Sequence, residues 1–197
     1  MKIGVTIDLN ALGLRELHAL SGAQTRIALH QDMGEAVRET TRAHLAGLAQ
    51  TRHTTAEALG ATPSGFLGRA ARAVESAPVS ADAGAAEMTL NHPGMIRAFR
   101  DVTIVPRNAK MLTIPVNALA YNRTPAAFWD AWHLQVKGGA IVSKDAPDVK
   151  LWVLCRSVTQ KQDRSLLPSD EEWSDSAATA AEHFYERRIA ELTGGAA

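Results

Sequence analysis

The stretch VTIVPRNAKMLTIPV, residues 102–116, decides between two kinds of protein. As a phosphate-binding loop it would place the chain among nucleotide-dependent enzymes. As two strands joined by a polar link it would place the chain among antiparallel folds. A phosphate loop needs several glycines running directly into a helix N-terminus, so that backbone N–H groups converge on the anion. This stretch has no glycine and runs into an alternating apolar segment. Val102 and Ile104, then Leu112, Ile114 and Val116, have the period of two of half-buried strands. The link PRNAK is of hairpin-loop length, so the two runs are expected to pair with each other, antiparallel. Arg107 and Lys110 then sit at an exposed tip, where they could meet an acidic surface or a nucleic acid backbone.

Further along the chain the strand pattern continues. NRTPAAFWDAW (residues 122–132) reads as a short aromatic helix with Thr124 as N-cap and Pro125 at its first position. HLQVKGGAIVSKD (133–145) reads as a hairpin turned by Gly138 and Gly139, and VKLWVLCRSV (149–158), the most apolar run, as a central strand. After Pro168 a terminal helix is expected, with acids in its first turn. Its apolar stripe is Trp173, Ala177, Ala180, Ala181, Phe184 and Leu192, and it ends at Gly194.

Toward the N-terminus, KIGVTIDL (residues 2–9) alternates as a strand. From about Ser21 to Gln50 the spacing predicts a long amphipathic helix, its inner face carrying Met33, Ala36, Val37, Thr40, Ala43, His44, Gly47 and Leu48. TRHTTAEALGA (51–61) reads as a mobile connection. TPSGFLGRAARAVES (62–76) reads as a helix capped by Thr62, with Phe66, Ala70, Ala73 and Val74 along one side. APVSADAGA (77–85) reads as a loop, and AEMTLNHPG (86–94) as a strand stopped by Pro93. The strands are too contiguous for alternating βαβ crossovers. The fold class is therefore α+β: a long N-terminal amphipathic helix and short helices packed on a mainly antiparallel sheet, then a C-terminal helix. One domain is expected over residues 1–197, with 169–197 as a helical arm.

Charge is balanced overall, 21 basic against 21 acidic side chains, so no global field selects nucleic acid or anionic lipid. It is uneven locally. Residues 101–170 hold nine basic and six acidic side chains, and residues 171–197 two basic and six acidic. The acidic terminal helix could meet a basic loop on a neighbouring subunit, which makes Arg107, Lys110, Glu171 and Glu172 interface candidates. Cys155, the single cysteine, lies in an apolar run and reads as a buried structural thiol in a protein of a reducing cytosol. Neither a signal peptide nor a membrane span is evident.

Catalytic patterns are sparse. The histidines form no H-E-x-x-H, and there is no G-x-S-x-G elbow. Asp148 and Lys150 spell D-x-K ahead of a strand, with Asp130 upstream, and a metal-dependent nuclease could use such carboxylates to hold Mg²⁺. The plainer reading of KDAPDVK is a turn leading into a strand. Phe128, Trp129, Trp132, Trp152 and Trp173 could stack bases, but at their helical or strand spacing they read as core. No catalytic, cofactor or metal site is expected.

Five segments taken in order carry a resemblance: TPSGFLGRAARAV, NHPGM, PRNAKMLTIPV, ALAYNRTPAAF and LLPSDEEW. Together they resemble the phage virion morphogenesis proteins, the family of Mu-like prophage G proteins and phage tail completion proteins, over roughly Ser21 to Trp173. P-x-N-A-K-x-L-T-I-P is the most distinctive piece. The resemblance implies a structural protein without enzymatic activity or cofactor, acting in tail completion or head–tail joining at the neck. It implies a homo-oligomeric ring, a hexamer, whose partners are head-connector and tail proteins, with DNA in the channel as a possible contact. The location implied is the virion, after assembly in the host cytoplasm. A DNA-contacting capsid or connector assembly factor is the alternative within the same setting. The chain departs from the family pattern at Arg100 and Asp101, and at Asn122, where relatives often have glycine. Asn122 preserves the geometry if the backbone there is left-handed.

Overall fold

The computed structural model describes residues 19–194, so the strand expected at residues 2–9 lies outside the described residues. The described chain is α+β, and every strand pairing in it is antiparallel. It divides into two compact units. The helical unit holds the chain through Ala46, Arg69–Pro93 and the chain from Ser165; the sheet unit holds Gly47–Gly68 and Gly94–Arg164.

In the helical unit the two long helices are α1 (Ala23–Thr51), most of which lies here, and α4 (Asp170–Leu192). α4 starts where the sequence signals it should. The Ser169 hydroxyl accepts the Glu172 N–H at 3.1 Å, and the Glu172 carboxylate accepts the Ser169 N–H at 2.6 Å. This capping box satisfies two first-turn donors reciprocally. Ala177, Ala181 and Phe184 are buried along the expected stripe.

The inner face of α1 is set differently from the expected one. Thr41 and Leu45 are fully buried, whereas Ala43 and Gly47 are exposed. A threonine can occupy the centre because its hydroxyl is satisfied twice. It donates to the Val37 carbonyl at 2.8 Å and accepts the Trp173 indole N–H at 2.9 Å. A second polar contact between the helices runs from the Thr40 hydroxyl to that of Ser176, 2.8 Å.

The stretch 77–85, expected to be a loop, contains β1 (Val79–Ala81), which pairs with β2 (Ala86–Met88). Asp82 makes the turn: its Oδ1 accepts the N–H groups of Gly84 and Ala85 at 2.7 and 2.8 Å, a side-chain substitute for a glycine turn. This hairpin lies against α1 at Gly34, where a Cβ would stand 2.6 Å from Val79 Cγ1 and 2.9 Å from Ala86 Cβ. Only a glycine permits that approach.

The sheet unit is built on four strands in the order β4 (Leu112–Pro115), β7 (Lys150–Cys155), β6 (Ala140–Ser143), β5 (Leu134–Lys137). β7 is central, as its apolar run predicts, and its Trp152 is fully buried with Leu134, Ile141, Leu151 and Ala120. Phe128 and Trp132 pack on that cluster, their ring centroids 4.6 Å apart. Gly138 and Gly139, at φ 57° and 76°, turn β5 into β6 as a two-residue hairpin requires. The element after Thr124 is a single 3-10 turn, Pro125–Phe128, rather than an α-helix, and the Thr124 side chain makes no capping bond. The segment 51–61 is not a bare connection. It holds α2 (Thr54–Leu59), closed by Gly60 in the left-handed conformation. The next helix, α3 (Phe66–Glu75), begins after Thr62 and Pro63 rather than on them. Cys155 is half-buried, not enclosed, because it sits at the last residue of β7.

The stretch 102–116 forms strands at both ends, but they do not pair with each other. β3 (Val102–Ile104) pairs with β8 (Val158–Gln160), and β4 pairs with β7. Since β7 and β8 follow one another along the chain, residues 102–116 run antiparallel to a single later segment. Ile104 stands opposite Val158, and Leu112 opposite Cys155. Between these pairs, residues 105–111 face only Arg156 and Ser157. PRNAK is therefore a loop pushed out from the side of a paired ribbon, not a hairpin tip.

Candidate protein-interaction surface

The extruded loop is anchored at its β3 end. Asp101, just before β3, accepts the Lys161 ammonium at 2.8 Å and the Gln162 N–H at 2.8 Å. The lysine hydrogen bond first, and the Gln162 N–H second, hold its carboxyl below the usual carboxylate range. Nearby, Asp163 receives Arg52 and Arg97 at 2.5 and 2.7 Å. Beyond this base, Arg107 and Lys110 are exposed. So are three apolar neighbours: Phe99 (66% exposed) and Val105 (55%), which the sequence reading did not single out, and Ile104, expected on a half-buried strand but 40% exposed. For Ile104 and Val105 the signal is the run VTIV, in which Thr103 is the one polar residue.

The acidic candidates separate. Glu171 is exposed and outward. Glu172 is held in the capping box, and the Ser169 backbone N–H, followed by the Ser169 side chain, lowers its pKa. Contact with a basic partner would have to compete with the cap. Asp175, Glu182 and Glu186 share the Glu171 stripe instead, because spacings of four, seven and four residues keep all four within about 60° of arc on a helix. All four are exposed, and none forms an ion pair among the described residues. Glu171 with Asp175, and Glu182 with Glu186, are like-charge neighbours one turn apart, a mutually repulsive arrangement.

Asp148 pairs with Lys137 at 3.7 Å and is 95% exposed; Asp130 and Lys150 are also exposed. Among the described residues, no group of three His, Cys, Asp or Glu side chains could hold a metal ion. The aromatic set divides as well. Trp152 is core, Phe128, Trp132 and Trp173 are half-buried, and Trp129 faces water. The Arg123 guanidinium covers the Phe128 and Trp132 rings at 5.1 and 5.2 Å, which occupies the faces a base would stack on. Two open grooves lie in the helical unit. One, of about 360 Å³, is crossed by the Arg187–Asp32 pair; the other, of about 270 Å³, runs along Met33, Val37 and Met88. Among the described residues no helix is long and apolar enough to cross a membrane. No family model, curated protein or solved structure matches the chain.

Proposed function

We infer that the protein is a structural component of a phage particle, acting in tail completion or head–tail joining, and that it works by assembly rather than by catalysis. The five-segment order from TPSGFLGRAARAV to LLPSDEEW carries this reading. Two structural features support it. Asn122, where relatives often have glycine, has φ 59°, so the left-handed geometry is kept without the glycine. The sheet unit also exposes large apolar side chains, including Phe99, Val105, Leu119 and Val136, as a surface made for a protein neighbour does. In this reading copies form a ring, a hexamer, between a head connector and a tail.

Deleting the gene from the phage that encodes it is expected to leave filled heads with missing or unfinished tails in electron micrographs. The protein itself should appear in purified virions by mass spectrometry. Normal tailed particles from the deletion, with no protein in wild-type virions, would remove the reading.

A further inference from the structure

We propose that the extruded loop, residues 105–111, together with the apolar side chains at its base, is the docking face for a second copy of this chain, whose α4 supplies the stripe of Glu171, Asp175, Glu182 and Glu186. The contact rests on the reading above only for the existence of a self-assembly. The surfaces come from the structure.

The loop is more than a connection. Its neighbours Ile104 and Leu112 pair with Val158 and Cys155, so two residues would have matched Arg156 and Ser157, yet the chain spends seven. What the excursion presents is Val105 in water, with Arg107 and Lys110 beyond it, while Phe99 and Arg100 stand exposed before β3. Exposed apolar side chains favour a cover, and the charges around them choose which cover. Arg100, Arg107 and Lys110 form no ion pair among the described residues, as is also true of the four carboxylates on α4. Each set lacks what the other offers.

α4 also provides apolar footing. Along one edge of the carboxylate arc, within about 40° of Glu171, lie Ala178, Tyr185 and Ile189, all half-buried, so Val105 and Phe99 of the docking face can bury part of them beside the charges. A nucleic acid would match the three cations but would leave Phe99 and Val105 in water and the acidic stripe unused. Both faces belong to one chain, so the contact is head-to-tail. Such contacts close into a ring if the rotation between copies permits and extend into a filament otherwise.

The test is sedimentation of the full chain at low and high salt with two charge reversals, Arg107→Glu/Lys110→Glu and Glu182→Lys/Glu186→Lys, each shown to be folded by circular dichroism. Wild-type association should weaken as salt rises. Each reversal alone should weaken it by at least about tenfold. An equimolar mixture of the two variants should recover it, because alternating copies then present matched faces at every contact. Phe99→Ser should weaken association even at high salt. The proposal is overturned if the wild type stays monomeric at about 100 μM, if either reversal associates as the wild type does, or if the mixture is no better than its parts. Salt-sensitive retention on double-stranded DNA that the loop reversal abolishes, with self-association unchanged, overturns it in favour of nucleic acid. If the reversals leave association intact while the protein is still found in virions, this contact is wrong and the phage reading stands. If the mixture rescues association but virions lack the protein, the reverse holds.

Discussion

Both units mix small and large side chains inside: the helical unit buries Ala70, Ala71, Ala177 and Ala181 beside Leu45, Val74 and Phe184, and the sheet unit buries Ala98, Ala120 and Ala140 beside Leu134, Ile141, Leu151 and Trp152. They differ in how closely backbones meet: the helical unit holds a fully buried threonine and, at Gly34, a glycine pressed against a hairpin. Large side chains hold a four-stranded sheet around one tryptophan. The outsides differ too. Every large apolar side chain that is exposed among the described residues, from Ile96 to Val149, belongs to the sheet unit. The helical unit turns charge outward, and its large apolar side chains among the described residues are at least half-buried. The sheet unit leaves apolar surface uncovered, and that is where a partner gains most by binding.

Opposite volume changes should therefore damage one chosen site in each unit. The largest effect is expected from Trp152→Ala, which empties the centre of the sheet and should cost about 3–5 kcal/mol in urea unfolding followed by circular dichroism. A loss below about 1 kcal/mol would mean that the aromatic cluster is not what holds the sheet. In the helical unit, Gly34 should instead be sensitive to gain of volume. Gly34→Ala puts a methyl 2.6 Å from Val79 and 2.9 Å from Ala86, and overpacking of about 1–3 kcal/mol should exceed the ~1 kcal/mol that alanine adds to helix propensity. Gly47→Ala, on the same helix with no atom within 4 Å of the added Cβ, should raise stability by about 1 kcal/mol. Thermal midpoints that move the same way in both variants would contradict close packing at Gly34.

These contrasts were partly legible in the sequence. The Gly138–Gly139 hairpin and the central position of β7 follow from local chemistry: glycines that tolerate positive φ, and an apolar run needing neighbours on both sides. The partners of residues 102–116 were not legible. Alternation marks a strand but does not say which strand it pairs with, and here the partner segment begins at Trp152, far along the chain. The inner face of α1 differs from the expected one because Ala43 and Gly47 look like interior residues, while Thr41 is buried through bonds to the Val37 carbonyl and to a tryptophan on another helix. The β1–β2 turn was missed because Asp82 does with a side chain what Asn-Gly does with a backbone. At the candidate surface, Arg107 and Lys110 are exposed as the sequence indicates, but charge alone puts Glu172 on the same footing as Glu171 as an interface candidate. The S-x-x-E spacing that ties it down, Ser169 to Glu172, was in plain view.

That bound carboxylate gives the smallest and most specific prediction. The Ser169 backbone N–H, then its side chain, lower the pKa of Glu172 from an ordinary 4.5, with the His44 ring a minor contributor. A carboxylate depressed in the folded state stabilises the fold above its unfolded pKa and loses that contribution as pH falls through the folded value. Glu172→Gln keeps a side-chain acceptor for the Ser169 N–H but has no charge to titrate. Wild type should therefore melt at a higher temperature than Glu172→Gln at pH 7. The gap should hold down to about pH 5 and close as pH falls further. The same variant serves the comparison between charges on α4. Because Glu172 is committed to the cap, its replacement should leave self-association unchanged, whereas Glu182→Lys/Glu186→Lys should not. A melting gap that stays constant from pH 7 to about pH 3 would show that the charge of Glu172 does not contribute through the cap.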